Sequence, residues 1–125
     1  MTRWIRVATL VAATAALSAC GGNDDLYGAI AYSSDTGVAA GAYNYETSVE
    51  AANAAMSKCG TGCALVLQFD GEDTCGAFVA SSNGQWGVGA DDNKSDAIEK
   101  ATRSCEGKGG VDCEVLEDLP AVCLG

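Results

Sequence analysis

A sequence unit written twice constrains this chain more than any other feature. Gly28-Ala29-Ile30-Ala31-Tyr32-Ser33-Ser34 is answered by Gly76-Ala77-Phe78-Val79-Ala80-Ser81-Ser82. A turn follows each, Asp35-Thr36-Gly37 and Asn83-Gly84. Asn-Gly between apolar runs favours a two-residue hairpin, because both turn positions need positive φ. Second strands are expected over 38–44 and 85–90, rich in glycine and alanine and so packed close to their neighbours. Thr47-x-x-Glu50 and Asn93-x-x-Asp96 then stand in equivalent places, the first a capping box and the second close to one. Behind them Ala51, Ala55, Cys59 and Ala97, Ala101, Cys105 recur every four residues, marking one helical face in each copy. Val49, Ala52 and Met56 extend the first stripe and Ile98 the second, with Gly60 and Gly107 as stops. Third strands are expected over 63–69, reading as buried, and over 113–116, reading as half exposed. The expected fold is α+β: two tandem strand-strand-helix-strand repeats, 27–74 and 75–125, with six strands and two helices. Neither copy of about 48 residues buries enough apolar surface to stand alone, so residues 27–125 form a single pseudo-symmetric, disulfide-stapled domain.

The seven cysteines point to an oxidising compartment. Setting Cys20 aside leaves Cys59, Cys63, Cys75, Cys105, Cys113 and Cys123, which permit fifteen pairings. The repeat ranks them. Cys59–Cys63 and Cys105–Cys113 would each tie a helix end to the next strand, leaving Cys75 with Cys123 at the two ends of the second copy. A metal site competes poorly, since these spacings are not those of zinc sites and the chain has no histidine. Neither a metal nor another cofactor is expected.

Arg3 and Arg6 precede an apolar run over 7–16, and residues 17–20 read Leu-Ser-Ala-Cys. This is similar to a bacterial lipoprotein signal. The resemblance implies a signal peptide over 1–19, a lipid on Cys20 and a short linker over 20–26. The apolar run is shorter than the about 20 residues a spanning helix needs. With Gly21 rather than Asp after the lipidated cysteine, the outer membrane, periplasmic side, is the expected address where a host has two membranes. The formal charge, −10 for the whole chain, falls by two more units once Arg3 and Arg6 leave. Such acidity disfavours nucleic acid as a partner and leaves membrane attachment to the lipid.

Gly28-Ala-Ile-Ala-Tyr-Ser33, Ala42-Tyr-Asn-Tyr45, Glu50-Ala51, Cys75-Gly-Ala-Phe78, Trp86-Gly-Val-Gly89, Cys113-x-Val-Leu116 and Ala121-Val-Cys123, with Cys59, Ala97 and Cys105 between them, carry a family resemblance. From Tyr27 to Cys123 the chain resembles the domain of unknown function 4189 family of small exported bacterial proteins. The resemblance implies export and the cysteine framework, and it brings no catalytic residues.

The lack of histidine removes Ser-His-Asp and Cys-His machinery and the commonest general base. Carboxylate pairs of the glycosidase kind remain, drawn from Asp70, Glu72 and Asp73 or from Glu114, Glu117 and Asp118. Solvated loop acids explain both sets as well, so no catalytic residue is assigned. Asp91-Asp-Asn93-Lys-Ser95-Asp96 only faintly resembles a calcium loop and reads better as a helix cap. Tyr43 and Tyr45 alternate about Asn44 and are expected on one side of a strand, a candidate recognition patch together with Asp70, Glu72 and Asp73. Tyr32 and Trp86 are expected to supply bulk to an alanine-rich helix–sheet core. The function expected is that of a cell-envelope lipoprotein that binds a basic envelope or foreign protein, as an inhibitor or immunity protein would. The alternatives are a minimal carbohydrate hydrolase using the loop acids and a purely structural envelope component. Cys20→Ala is expected to move the protein from the membrane pellet to the soluble fraction of a cell lysate. Retention in the pellet would overturn the lipid assignment.

Overall fold

The computed structural model describes residues 26–125. The signal, Cys20 and most of the linker expected from the sequence lie outside the described residues. The order is β1 (Tyr27–Tyr32), β2 (Ala39–Tyr45), α1 (Ser48–Cys59), β3 (Ala64–Asp70), β4 (Cys75–Ala80), β5 (Trp86–Asp91), α2 (Lys94–Gly107), β6 (Glu114–Val115) and β7 (Val122–Cys123). The fold is therefore α+β, with two helices, two sheets and three disulfides. One sheet runs β2-β1-β3; the other runs β5-β4-β6, with β7 also paired to β4. All pairings are antiparallel.

Strand alternation sorts the core into three layers. Ala29, Ala31 and Ala42 meet Ala51, Ala55 and Cys59 of α1. Cys75, Ala77 and Val79 meet Ala97, Ala101 and Cys105 of α2. The intervening residues Ile30 and Phe78 turn the other way and meet between the sheets, together with Leu119. The molecule is thus helix, sheet, sheet, helix.

The helices start where side-chain caps allow. The Thr47 hydroxyl accepts the Glu50 N–H at 3.1 Å and the Asn93 carbonyl oxygen accepts the Asp96 N–H at 2.9 Å, each contributing about 1 kcal/mol. α1 stops at Gly60, whose φ is +96°. Gly107, expected as a stop, is instead the last residue of α2, and Gly109 takes the positive φ. The helix-facing positions of β5 are Gly87 and Gly89 because backbone fills the space: a Cβ on Gly89 would lie 2.6 Å from the Ala97 carbonyl oxygen.

The disulfides join Cys59 to Cys63, Cys105 to Cys113 and Cys75 to Cys123, the three pairs the repeat ranks first. The first two fasten each helix end to the chain leading into the next strand. The third spans 48 residues between cross-strand partners on β4 and β7, and on the loop-closure model contributes about 4 kcal/mol.

Several expectations fail for identifiable reasons. The third strand of the second half is split, which gives seven strands. β6 pairs with Val79 and Ala80, β7 with Cys75 and Gly76, and residues 116–121 bulge out between them. Pro120 cannot donate to a ladder, and the excursion instead buries Leu119 and Ala121. β3, read as buried, exposes all but Val66, Leu67 and Phe69, because α1 lies across β1 and β2 and leaves β3 at the sheet edge. Val49 points outward and is 65% exposed, so it adds nothing to the stripe. Asn-Gly does not form the two-residue turn: only Gly84 takes positive φ, and the turn closes from Ser81 to Gln85. Asn83 is held elsewhere, its side chain accepting the Val111 N–H at 3.0 Å and donating to the Gly109 carbonyl at 2.9 Å.

Gly89→Ala is expected to cost about 1–3 kcal/mol in denaturant unfolding, since rigid helix backbone cannot yield. Gly107→Ala, with nothing within 4 Å of its Cβ, is expected to gain about 0.5–1 kcal/mol. Equal effects of one sign at both positions would contradict this packing.

Candidate functional site

The acidic turn after β3 is a built corner. Gly71 donates its N–H to the Leu26 carbonyl at 3.1 Å, Thr74 to Gly71 at 3.1 Å, and Asp73 to the Leu124 carbonyl at 3.2 Å. Leu124 is buried, and its own N–H returns to Thr74 at 2.8 Å. Asp73 sits at φ +71°, a left-handed conformation that Asp tolerates better than most residues. Backbone bonds therefore fix the corner while the carboxylates of Asp70, Glu72 and Asp73 stay exposed to solvent. Glu114, Glu117 and Asp118 are exposed as well, on and after β6 in the other sheet.

Beside this corner is an open depression of about 180 Å³, lined by Tyr27, Gly28, Ser48, Gln68, Phe69 and Asp70. The first residue of α1, Ser48, forms one wall, and the end of the edge strand β3 supplies Gln68, Phe69 and Asp70. Asp70 is the one carboxylate in its lining.

Tyr43 and Tyr45 do not share a face. Asn44 between them takes φ +64°, and the β1–β2 register shifts there. That bulge sends Tyr45 toward α1 with Tyr27, and Tyr43 into the layer between the sheets. The Asn44 side chain meanwhile holds Gly125, accepting its N–H at 2.8 Å. Tyr43 folds back over Gly41, its ring 6.2 Å from that of Phe69, and its buried hydroxyl has no hydrogen-bond partner. Burial pushes the Tyr43 phenol above its ordinary value.

Tyr32 and Trp86 also lie between the sheets rather than against the helices, because they alternate with the alanine and glycine positions that face α1 and α2. Tyr32, Phe78 and Trp86 form one cluster, with Phe78 and Trp86 stacked at 6.2 Å between centroids and Lys108 Nζ 3.4 Å above the Trp86 ring. Phe69 fills the slot over Gly28 of the first sheet and Gly76 of the second, the glycines that open the two repeated motifs.

The calcium-like segment is a helix cap with an ion pair. Asp91 accepts the Asp92 N–H at 2.6 Å and meets Lys100 at 3.0 Å; these hold its carboxyl below its ordinary value, the Asp92 bond first. Among the described residues no group of three or more His, Cys, Asp or Glu converges as metal ligands would.

Composition does not reveal how the basic residues are used. Lys58 donates to the Gly41 carbonyl and Lys100 to that of Ala90, each at 3.1 Å. Arg103 faces Glu99 at 3.9 Å, and Lys108 lies on Trp86. Four of the five basic residues after the signal thus have a local partner. Most of the acidic ones have none among the described residues. Only the placing of Lys58 and Lys100 on helices beside edge strands could have signalled part of this.

Residues 27–119 match the family model described as Domain of unknown function (DUF4189), and the chain belongs to that family. No curated protein and no solved structure matches the chain.

Tyr43→Phe is expected to raise stability at pH 7 by about 1 kcal/mol, since it removes an unpaired buried hydroxyl. A phenol raised above 10.0 in the folded state keeps its full stability contribution below that pH and loses it as pH climbs through the folded value. The advantage of Tyr43→Phe should therefore widen in denaturant melts above pH 10.0. A constant difference across that range would mean that the hydroxyl reaches water.

Proposed function

We propose that this member of the domain of unknown function 4189 family is a lipid-anchored envelope protein that works by binding a basic protein partner. The observation that carries the reading is the use of charge. Seventeen acidic residues stand against only five basic ones once Arg3 and Arg6 are set aside, and most of the carboxylates are solvated on a braced scaffold, so the surface field is strongly negative. A field of that sign gathers basic partners and speeds their encounter. The corner at Asp70, Glu72 and Asp73 is the focus of this reading because its backbone is already fixed and little ordering entropy is lost on contact. The lipid on Cys20 holds the domain at the membrane, on the periplasmic side of the outer one where the host has two, and the cysteine pairs suit an oxidising envelope.

In the same reading the two halves are copies of one unit. Each sheet places its first strand centrally with the second and third strands flanking it, and each helix sits on the outer face with its end disulfide-bonded. The copies differ where function would separate them: β3 is continuous and ends in the acidic corner, whereas its counterpart is split into β6 and β7.

Crosslinking in cells with the tagged lipoprotein, followed by mass spectrometry, is expected to recover one basic protein in stoichiometric amount. Its association rate should fall at least about tenfold between low and moderate salt. A salt-insensitive on-rate overturns the electrostatic reading. Turnover of an envelope polysaccharide, abolished by Asp70→Asn with Glu72→Gln and Asp73→Asn, would replace the binding reading with hydrolysis.

A further inference from the structure

The sandwich has four open sides where sheets end, and three of them are blunted. At β2 the Lys58 ammonium occupies the Gly41 carbonyl, and a bulge at Asn44 distorts the strand. At β5 the Lys100 ammonium occupies the Ala90 carbonyl. At the far edge of β4 the strands β6 and β7 are two residues each, interrupted by the excursion that contains Pro120. Edge lysines, bulges, prolines and very short strands are the devices by which sheets avoid unwanted pairing.

β3 has none of the lysine or proline protection. It is seven residues long, Ala64–Asp70, pairs with β1 on one side only, and is uncharged until Asp70. Its single irregularity is the register shift against β1 at Val66, which leaves a regular stretch from Leu67 to Asp70. Among the described residues no side chain bonds to its backbone. Leu65 is 37% exposed, Gln68 is exposed, and α1 packs mainly on β1 and β2. The strand runs directly into the acidic corner.

We infer that the outer edge of β3 is a strand-addition site for an extended, basic segment of a partner protein. The inference rests on the binding reading above and gives that reading its surface. Main-chain hydrogen bonds to β3 supply affinity, and Asp70, Glu72 and Asp73 select lysine or arginine at one end of the added strand. Charge decides against a second copy as occupant: two chains of formal charge −10 repel, and pairing β3 with β3 brings no cation to either acidic corner.

The test is backbone amide exchange on the nitrogen-15-labelled protein with a blocked peptide of alternating valine and lysine. A control of the same composition and charge carries two added prolines and cannot form a strand. With the alternating peptide in excess, the amides of residues 64–70 should slow by about tenfold or more, with no slowing from the proline control. The double variant Leu65→Lys, Gln68→Lys changes only exposed side chains and should abolish the effect. Asp70→Asn with Glu72→Gln and Asp73→Asn, which removes the charges and changes within β3 only its last side chain, should weaken peptide affinity severalfold. Equal effects of the two peptides, protection elsewhere than β3, or β3 protection that grows with protein concentration and needs no peptide would each overturn the inference. A basic partner captured in cells while residues 64–70 stay unprotected leaves the binding reading standing and removes this site. Peptide protection of β3 with no captured partner supports the site and removes the cellular reading.

Discussion

The closeness of helix to sheet governs the rest of this molecule. Every buried position on the two helices is alanine or cysteine: Ala51, Ala55 and Cys59 on α1, Ala97, Ala101 and Cys105 on α2. The strands answer with alanine on β1 and β2 and with Gly87 and Gly89 on β5, where helix backbone occupies the space a Cβ would take. Such an interface buries little area per residue, so dispersion between close backbones replaces the bulk of a usual core. Most of the bulk then goes to the other faces of the sheets, Tyr27 and Tyr45 lying toward α1 at the end of the first sheet. Because strand side chains alternate, Ile30, Tyr32, Phe78 and Trp86 all meet in the layer between the sheets. The disulfides at the helix ends fit the same scheme, fastening helices whose own apolar contact is thin.

What the sequence made legible was periodic or locally bonded. Alanines every four residues announced the helix faces, Thr47 and Asn93 announced the caps, and the doubled motif ranked the three cysteine pairs. What it hid depended on a single backbone angle or on which neighbour covers a strand. One left-handed residue, Asn44, parts Tyr43 from Tyr45, and no pattern of side-chain types records that angle. The 63–69 run has the composition of a buried strand, yet its burial is decided by where α1 lies, a tertiary fact that propensity does not carry. Asn83-Gly84 has the chemistry of a tight turn, but the bonds Asn83 makes to Gly109 and Val111 hold it outside the φ that such a turn needs. Of the candidate site, Asp70, Glu72 and Asp73 were visible as acids; that backbone bonds lock them into a corner was not.

Edge protection and surface charge, usually separate matters, are coupled in this chain. A lysine that reaches from its helix to an edge carbonyl closes that edge while keeping its charge, as Lys58 and Lys100 both do, so edge closure and surface charge draw on the same few residues. With five cations after Arg3 and Arg6 against seventeen acids, few lysines are available to guard edges and the surface stays strongly negative. The one long edge left without a lysine is β3, which runs into Asp70, Glu72 and Asp73. An added acidic strand there would meet unfavourable charge at the corner and a neutral one would gain ladder bonds alone, whereas a basic one gains both ladder bonds and ion pairs. The scarcity of lysine thus both opens one edge and sets the sign of what can fill it.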